Sequence, residues 1–207
     1  RGILRTTEPV TGIAVEVGVA ERLAPPRRAP AATNTPGGVQ RTDRPADAVL
    51  LDDRVQPSNL THLVLGSQDQ PATLAFLVEG LGFEVSDELP GVIAFARCGE
   101  VHHNIAVQAA AGRQLHHVAF EVEDVDEVAR GGTAMLEVDP ERHLWGLGRH
   151  AIGSNWFWYL RSPAGHFAEY TADVDRISAQ DRYAPKEWEG HELLYALGPP
   201  PPAEFFQ

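Results

Sequence analysis

The sequence predicts an α+β fold in which two βαβββ units pair into a curved mixed sheet. The first observation is a repeat: the segments 60–69 and 115–124 align without a gap, and the alignment places His62 on His117 and Asp69 on Asp124. The second observation is that an acidic turn, one helical pattern and three strand patterns follow each copy. We expect one site, shared between the two halves, in the cavity that such a sheet encloses.

The first half is predicted over residues 59–110. After its repeated strand, a helix is expected at about 69–81. Its apolar side chains recur at positions i, i+3, i+4 and i+7, the spacing of an amphipathic helix: Leu74, Leu77, Val78 and Leu81. Three further strands are predicted near residues 83–87, 91–97 and 102–108.

The second half is predicted over residues 114–172 and repeats this order. Its helix is expected at about 124–131, and its later strands near residues 144–151, 155–161 and 166–172. Trp156 and Trp158 face away from Tyr159 by strand alternation, so we expect them to pack in the core or at an interface.

The flanking segments have different patterns. Residues 1–23 contain a strand pattern that we interpret as the closing strand of a partial or truncated N-terminal module. Residues 24–58 are rich in Pro, Ala, Arg and Gly, which is typical of a linker. Residues 173–207 are expected to form an irregular tail or lid, because they end in a run of prolines that excludes helix and sheet.

Composition narrows the possible partners and location. The formal net charge of −12 over 207 residues disfavours nucleic acid, because phosphate binding needs a basic face. No apolar run approaches the length of a membrane span, so no membrane partner is expected. The single cysteine, Cys98, excludes an internal disulfide and fits a reducing cytoplasm. We therefore expect a cytoplasmic protein, as a homo-oligomer, with small-molecule partners.

Three residues form a candidate metal site. His62 and His117 occupy equivalent places in the two copies, and Glu169 follows on the last predicted strand. Two histidines and one carboxylate, with positions left open, are characteristic of non-haem Fe(II) oxygen chemistry. A histidine on an apolar strand is more often a core residue, and an arginine could instead pair with Glu169. The repeat favours the metal.

Three more polar residues are candidates for acid–base or hydrogen-bonding roles. Histidine side chains ordinarily titrate near neutral pH, which would suit His103 and His150 to proton transfer, and Tyr159 carries a hydroxyl in the same predicted half as His150. Each could also be an ordinary polar residue at a strand end. His116, the neighbour of His117, is expected to point the other way by alternation.

The stretch from His62 to Tyr170 resembles the type I extradiol ring-cleavage dioxygenases of the vicinal oxygen chelate superfamily, which also contains glyoxalases and bleomycin resistance proteins. The likeness is closest to homoprotocatechuate-type enzymes, with dihydroxybiphenyl-type enzymes further away. The segments that carry it are Gly148-Arg149-His150, Trp158-Tyr159, Ser162-Pro163-Ala164-Gly165, Glu169, His102-His103-Asn104-Ile105-Ala106 and Leu115-His116-His117-Val118-Ala119-Phe120.

This resemblance implies a function and a set of roles. The chain would be an extradiol dioxygenase that opens a catechol ring with O₂. His62, His117 and Glu169 would bind Fe(II), or Mn(II) in some members. His103 would be the acid–base group near the oxygen site, and the pair His150 and Tyr159 would hydrogen-bond the substrate or an oxygen-derived intermediate.

The sequence leaves other functions on the same fold open. Dihydroxybiphenyl-type enzymes usually carry Asn-Asp shortly after the histidine that matches His150, whereas Ala151-Ile152-Gly153 follows here, so their substrate contacts do not transfer. A glyoxalase-like or epimerase-like enzyme of the same fold would use four protein ligands, but the first-half segment 104–108 contains no carboxylate. A metal-free binding protein on the same scaffold would not need the three candidate ligands together.

Overall fold

A nine-stranded mixed sheet dominates the computed structural model, which describes residues 2–21, 24, 29, 31–178, 183–190 and 194–206. The first half of the chain contains β1 (Leu4–Thr7), β2 (Ala14–Val17), α1 (Asp47–Leu50), β3 (Asn59–Ser67), α2 (Gln70–Ala75, continued by a π-helical turn, Phe76–Gly80), β4 (Glu84–Leu89), β5 (Ile93–Arg97) and β6 (Ile105–Ala109). The second half contains β7 (Gln114–Glu121), α3 (Val125–Val138), a 3₁₀ turn (Pro140–Arg142), β8 (His143–Arg149), β9 (Trp156–Arg161), β10 (Phe167–Ala172), β11 (Lys186–Glu187) and a second 3₁₀ turn (Ala203–Phe206).

The order of the strands confirms the predicted duplication. Across the sheet they run β11-β4-β5-β6-β3-β7-β10-β9-β8. The repeated strands β3 and β7 are antiparallel neighbours at the centre, and each has the closing strand of its own half as a parallel neighbour on its other side. Exchanging the two halves maps the order of the eight repeated strands onto itself. The α+β class and the paired βαβββ units are therefore confirmed.

Both helices of the repeat begin in the same way, at an acidic residue that follows the central strand. The Asp69 carboxylate accepts a hydrogen bond from the backbone N–H of Ala72, at 3.1 Å. The Asp124 carboxylate accepts one from the backbone N–H of Glu127, at 3.0 Å. A side-chain oxygen at this position satisfies a backbone donor that the helix leaves free, so these aspartates fix where α2 and α3 start.

Helix α3 is longer than the sequence predicted, because it runs through Gly131 and Gly132 to Val138. A Cβ added at Gly131 would lie 2.9 Å from the ring of Tyr170, and one added at Gly132 would lie 2.4 Å from the ring of Trp158. The two glycines therefore let the helix approach the sheet closely. The sequence predicts a helix end at about residue 131, whereas packing against the sheet lets α3 continue to Val138.

The predicted packing role of the two tryptophans is confirmed. Trp156 and Trp158 pack with Tyr170 around a small cluster that includes Val128 of α3, on the helix side of the sheet. Tyr159 points to the opposite face, where it packs against Trp145 and other aromatic rings. The helix face of the second half is therefore structural, and its opposite face is available for a site.

The flanking segments lie outside the repeat. The predicted N-terminal strand appears as β2, which pairs only with β1 in a separate two-stranded sheet. Its membership of a further module stays a prediction. The tail contributes β11 at the sheet edge and the 3₁₀ turn Ala203–Phe206, while residues 179–182 and 191–193 lie outside the described residues. Among the described residues, no helix is long and apolar enough to cross a membrane.

We expect Gly132→Ala to destabilise the protein by about 1–3 kcal/mol, because the added methyl group would overpack the helix against Trp158. Gly80→Ala is the matched control. This glycine is also helical, at the end of the π-helical turn, but its added Cβ would meet its nearest neighbour at 3.7 Å, so we expect an effect between neutral and a stabilisation of about 1 kcal/mol. Urea unfolding of both variants measures the difference, and equal stabilities would contradict the packing argument.

Candidate metal centre and its pocket

Three buried side chains meet on the face of the sheet opposite the helices: His62 of β3, His117 of β7 and Glu169 of β10. The Nε2 atoms of the two histidines are 3.3 Å apart. The Oε2 atom of Glu169 lies 3.2 Å from the His62 Nε2 and 3.3 Å from the His117 Nε2. The three atoms thus form a nearly equilateral triangle, and the structure brings together the three residues that the sequence singled out.

Strand register explains this convergence. Ala119 of β7 lies opposite His62 of β3 on one side and opposite Glu169 of β10 on the other. His117 precedes Ala119 by two residues and therefore points to the same face of β7. Ala119 is fully buried, and its small side chain leaves room for the three larger ones around it.

The charges in this triangle suit a cation. Burial alone would raise the pKa of Glu169, but the adjacent imidazoles of His62 and His117 outweigh it and hold the pKa well below its ordinary value. Burial lowers the pKa of His117 to about 3, although the neighbouring Glu169 carboxylate opposes this shift. The site therefore holds an ionised carboxylate and, at His117, a neutral imidazole, which are the forms that bind metals.

His116 fixes the orientation of His117. The Nε2 of His116 lies 2.6 Å from the backbone carbonyl oxygen of Phe205, and because a carbonyl only accepts, this nitrogen must carry the proton. The Nδ1 of His116 is then bare and accepts a hydrogen bond from the Nδ1–H of His117, at 2.7 Å. This leaves the Nε2 lone pair of His117 directed into the triangle.

Asn155 orients the Glu169 carboxylate, as His116 orients His117. Its side-chain nitrogen donates to Oε1 of Glu169 at 3.1 Å and to the hydroxyl oxygen of Thr171 at 2.8 Å. Asn155 is 1% exposed, so these hydrogen bonds are shielded from water. One carboxylate oxygen is thereby held by the protein, and the other is left to face the two histidines.

The residues of the triangle fit a bound divalent cation. Oε2 of Glu169 is completely buried and has no hydrogen-bond donor among the described residues. A buried anion without a partner costs several kcal/mol, and lone pairs that converge at this separation repel each other. A divalent cation bound by all three atoms removes both costs, and two imidazoles with one carboxylate suit Fe(II) or Mn(II).

A pocket opens beside the triangle. Two kinds of side chain line it: polar groups, which are imidazoles, a phenol and amides, and a larger number of apolar groups. The apolar lining residues are Val64, Val92, Ile93, Phe95, Ala109, Ile152, Leu194, Phe205 and Phe206. Three of these, Leu194, Phe205 and Phe206, belong to the C-terminal tail. The pocket therefore suits a largely apolar ligand with a few polar groups at its inner end.

His103, the predicted acid–base residue, lies at the inner end of the pocket. Its ring centroid is 4.1 Å from that of His62, and its Nδ1 atom is 2.9 Å from the Nδ1 of His102. Burial, followed by the proximity of His62 and His102, lowers the pKa of His103 well below its ordinary value. His103 is therefore held in its neutral form.

His150 and Tyr159 form a hydrogen-bonded pair that also lines the pocket. The Nδ1 of His150 donates to the backbone carbonyl oxygen of Leu194, which leaves its Nε2 bare to accept from the Tyr159 hydroxyl at 3.0 Å. Burial lowers the pKa of His150. Burial, and then the charge of Glu169, raises the pKa of Tyr159 well above its ordinary value, so the phenol stays protonated. All three predicted candidates line the pocket, and their roles remain predictions.

Sequence reasoning missed the residues that orient these groups. His116 was set aside because alternation turns it away from His117, but it contacts the Nδ1 of His117 along the strand. His102 makes the same contact with His103. The two His-His pairs were a visible signal for both. Nothing in the sequence indicated Asn155.

Residues 59–170 match the model of the Glyoxalase/Bleomycin resistance protein/Dioxygenase superfamily. This match covers more than half of the 207 residues. The chain belongs to this superfamily, which confirms the resemblance noted in its sequence.

Individual relatives give a finer comparison. The chain is 34% identical to Metapyrocatechase 2 of Cupriavidus necator, over 94% of this chain and 60% of that protein. It is 33% identical to the Biphenyl-2,3-diol 1,2-dioxygenase of Metapseudomonas furukawaii, over 65% of this chain and 48% of that protein. The crystal structure of the Mn(II)-bound glyoxalase from Novosphingobium aromaticivorans matches with a TM-score of 0.65 at 28% identity, over 82% of this chain and 54% of that one. The chain thus spans only about half to three fifths of the length of these proteins.

We expect the metal-free protein to lose stability as the pH falls from 6.5 towards 3. The imidazoles of His103, His116, His117 and His150 have lowered pKa values, so they stay neutral while the same residues in the unfolded chain take up protons. Their stabilising contribution is complete above the unfolded pKa and is lost as the pH decreases, with a slope of about 1 kcal/mol per pH unit for each histidine.

Urea unfolding between pH 6.5 and 5 measures this slope. His117→Gln removes one of the four groups and should make the slope shallower by about 1 kcal/mol per pH unit. An unchanged slope in the variant would show that His117 is not held neutral by the fold.

Proposed function

We propose that the chain carries the metal centre of an extradiol dioxygenase, which uses Fe(II) and O₂ to open the ring of a catechol. The observation that carries this proposal is the triangle of His62, His117 and Glu169, whose three facing atoms lie within 3.3 Å of one another at the inner end of an apolar pocket. Metapyrocatechase 2 and Biphenyl-2,3-diol 1,2-dioxygenase support it as relatives.

The residues around the triangle have the properties that such a reaction needs. Bound there, Fe(II) would supply Lewis acidity and open positions for the substrate and O₂. Neutral His103 would accept a proton from a catechol hydroxyl, since its lowered pKa keeps it unprotonated. The hydroxyl of Tyr159 donates its one proton to His150, so its oxygen would accept a hydrogen bond from a hydroxyl group of the ligand in the pocket.

The identity of the metal is a separate part of the proposal. Two imidazoles and a carboxylate can bind Fe(II) or Mn(II), and the glyoxalase of similar fold is Mn(II)-bound. We propose Fe(II) as the working metal, with Mn(II) as the alternative. Loading the metal-free protein with each ion in turn, without air, and then measuring O₂ consumption with a panel of catechols would distinguish them. The absorbance of a yellow ring-fission product would report turnover.

A second candidate is a glyoxalase-like enzyme, which the Mn(II)-bound glyoxalase brings into consideration. Such a site would take a fourth ligand from the first half, at the place equivalent to Glu169. Glu169 lies opposite Ala119, two residues after His117. The matching residue in the first half lies opposite Val64, two residues after His62, and it is the buried Ala106. An alanine cannot be a ligand, which favours the three-ligand site.

The proposal also covers the role of the C-terminal tail, the oligomeric state and the cellular location. Leu194, Phe205 and Phe206 line the pocket, which supports a role for residues 173–207 as a lid or wall. We further propose a cytoplasmic homo-oligomer. Size-exclusion chromatography with light scattering tests the oligomer, and fractionation of the native cells tests the location.

We expect Glu169→Ala to abolish stoichiometric metal binding, because it removes the only carboxylate of the triangle. Glu137→Ala removes an exposed carboxylate from α3 and serves as the control that retains the metal. The measurement is the iron content after anaerobic loading and desalting. Stoichiometric Fe(II) in the Glu169 variant would count against the assignment.

We expect His103→Phe to keep iron but to lower the turnover rate by roughly 10²–10⁴-fold, the usual contribution of an acid–base group. Without proton transfer, the variant is also expected to release reduced oxygen species. The measurements are the iron content, the rate of ring-fission product and the peroxide formed per O₂ consumed. Loss of iron would instead make His103 a ligand.

A further inference from the structure

A chain of three buried side chains runs from the sheet edge to the pocket. Asp87 of β4 is 2% exposed, His102 is 1% exposed and His103 is 3% exposed. The Oδ2 atom of Asp87 lies 3.3 Å from the Nε2 of His102, and the Nδ1 of His102 lies 2.9 Å from the Nδ1 of His103. Neither Asp87 nor His102 lines the pocket. Both can act on a ligand only through His103.

The ionisation of Asp87 determines which atom donates in each hydrogen bond of the chain. Burial alone would raise the pKa of Asp87, but its hydrogen bonds, first that from His102 and then that from the backbone of Lys186, outweigh it and lower the pKa. An ionised carboxylate only accepts, so the Nε2 of His102 carries the proton. The Nδ1 of a neutral His102 is then bare and accepts from His103, whose proton must lie on Nδ1.

We propose that Asp87 and His102 are positioning residues, which hold His103 with its proton on Nδ1 and a bare Nε2 free to act on the ligand in the pocket. Nε2 of His103 has no hydrogen-bond partner among the described residues, and the ring lines the pocket. The inference rests on the proposed function for its catalytic meaning, but the position of the proton is a property of the protein alone.

The arrangement would also stabilise the product of proton transfer. When a catechol hydroxyl gives its proton to Nε2 of His103, that ring becomes a cation. The Nδ1–H of His103 then donates to a nitrogen of His102, whose own Nε2–H donates to the carboxylate of Asp87. A buried positive charge needs such a partner, and Asp87 supplies a negative charge two hydrogen bonds away.

The hydrogen bonds of Asp87 make the substitution Asp87→Asn a decisive test of the tautomer. Its second oxygen, Oδ1, accepts from the hydroxyl of Tyr183 at 3.0 Å and from the backbone N–H of Lys186 at 2.9 Å. In Asp87→Asn these two donors would retain the amide oxygen at the Oδ1 place. The amide NH₂ group must then face Nε2 of His102. That nitrogen can no longer donate, so the proton of His102 moves to Nδ1 and is donated to His103.

The expected consequence is that the two ring nitrogens of His103 exchange their roles as donor and acceptor. In Asp87→Asn its Nδ1 becomes the acceptor and its Nε2 carries the proton, so the pocket meets a donor where the unmodified protein presents a base. Turnover is expected to fall by roughly 10²-fold or more, the contribution of a general base, with little change in KM. Metal content is expected to stay stoichiometric.

The test is the tautomer of His103, read by ¹⁵N–¹H correlation NMR of ring-labelled protein loaded with Zn(II), which is diamagnetic. The unmodified protein should have its His103 proton on Nδ1, and Asp87→Asn should have it on Nε2. Asp175→Asn is the charge-matched control: it removes an exposed carboxylate whose hydrogen bond comes from Ser154, and it should keep the original tautomer and turnover.

Two results would overturn the proposal. The first is a His103 proton on Nε2 in the unmodified protein, a measurement that needs no variant to fold. The second is an unchanged tautomer in Asp87→Asn. If the tautomers invert as expected but neither protein cleaves a catechol, the positioning of His103 is upheld and the proposed function fails, so the two conclusions are separable.

Discussion

The interaction on which the structure depends is the convergence of one carboxylate oxygen and two imidazole nitrogens, within 3.3 Å of one another, on three buried side chains. A buried anion beside converging lone pairs is unfavourable unless a cation or a proton compensates it. The central strands of the sheet hold this arrangement through the register around Ala119, and Asn155 leaves one carboxylate oxygen of Glu169 without a donor. The fold therefore maintains a site that a divalent cation satisfies.

The duplication explains both the site and its asymmetry. Each half contributes one histidine from its first strand, so the pseudo-symmetric sheet brings the two together at its centre. Only the second half contributes a carboxylate, because Ala106 occupies the place in the first half that corresponds to Glu169. A cation bound at the triangle would therefore keep more coordination positions open than one bound by four protein ligands.

Much of the fold and the candidate ligands could be predicted because they depend on patterns along the chain. The repeat gave the two halves, and the histidines within it gave two members of the triangle. The end of α3 could not be predicted, because it depends on how Gly131 and Gly132 meet rings that are distant in sequence. Strand alternation also misjudged His116, since it describes which face a side chain occupies and not its hydrogen bonds to a neighbour.

The contribution of the tail is the part that sequence reasoning is least able to reach. The backbone carbonyl of Phe205 accepts from His116, which orients His117, and the carbonyl of Leu194 accepts from His150, which holds Tyr159. Every residue carries a carbonyl, so no side-chain pattern marks these two as special. The tail is therefore more than an apolar cover: through two backbone oxygens it determines which ring nitrogens of the pocket carry a proton.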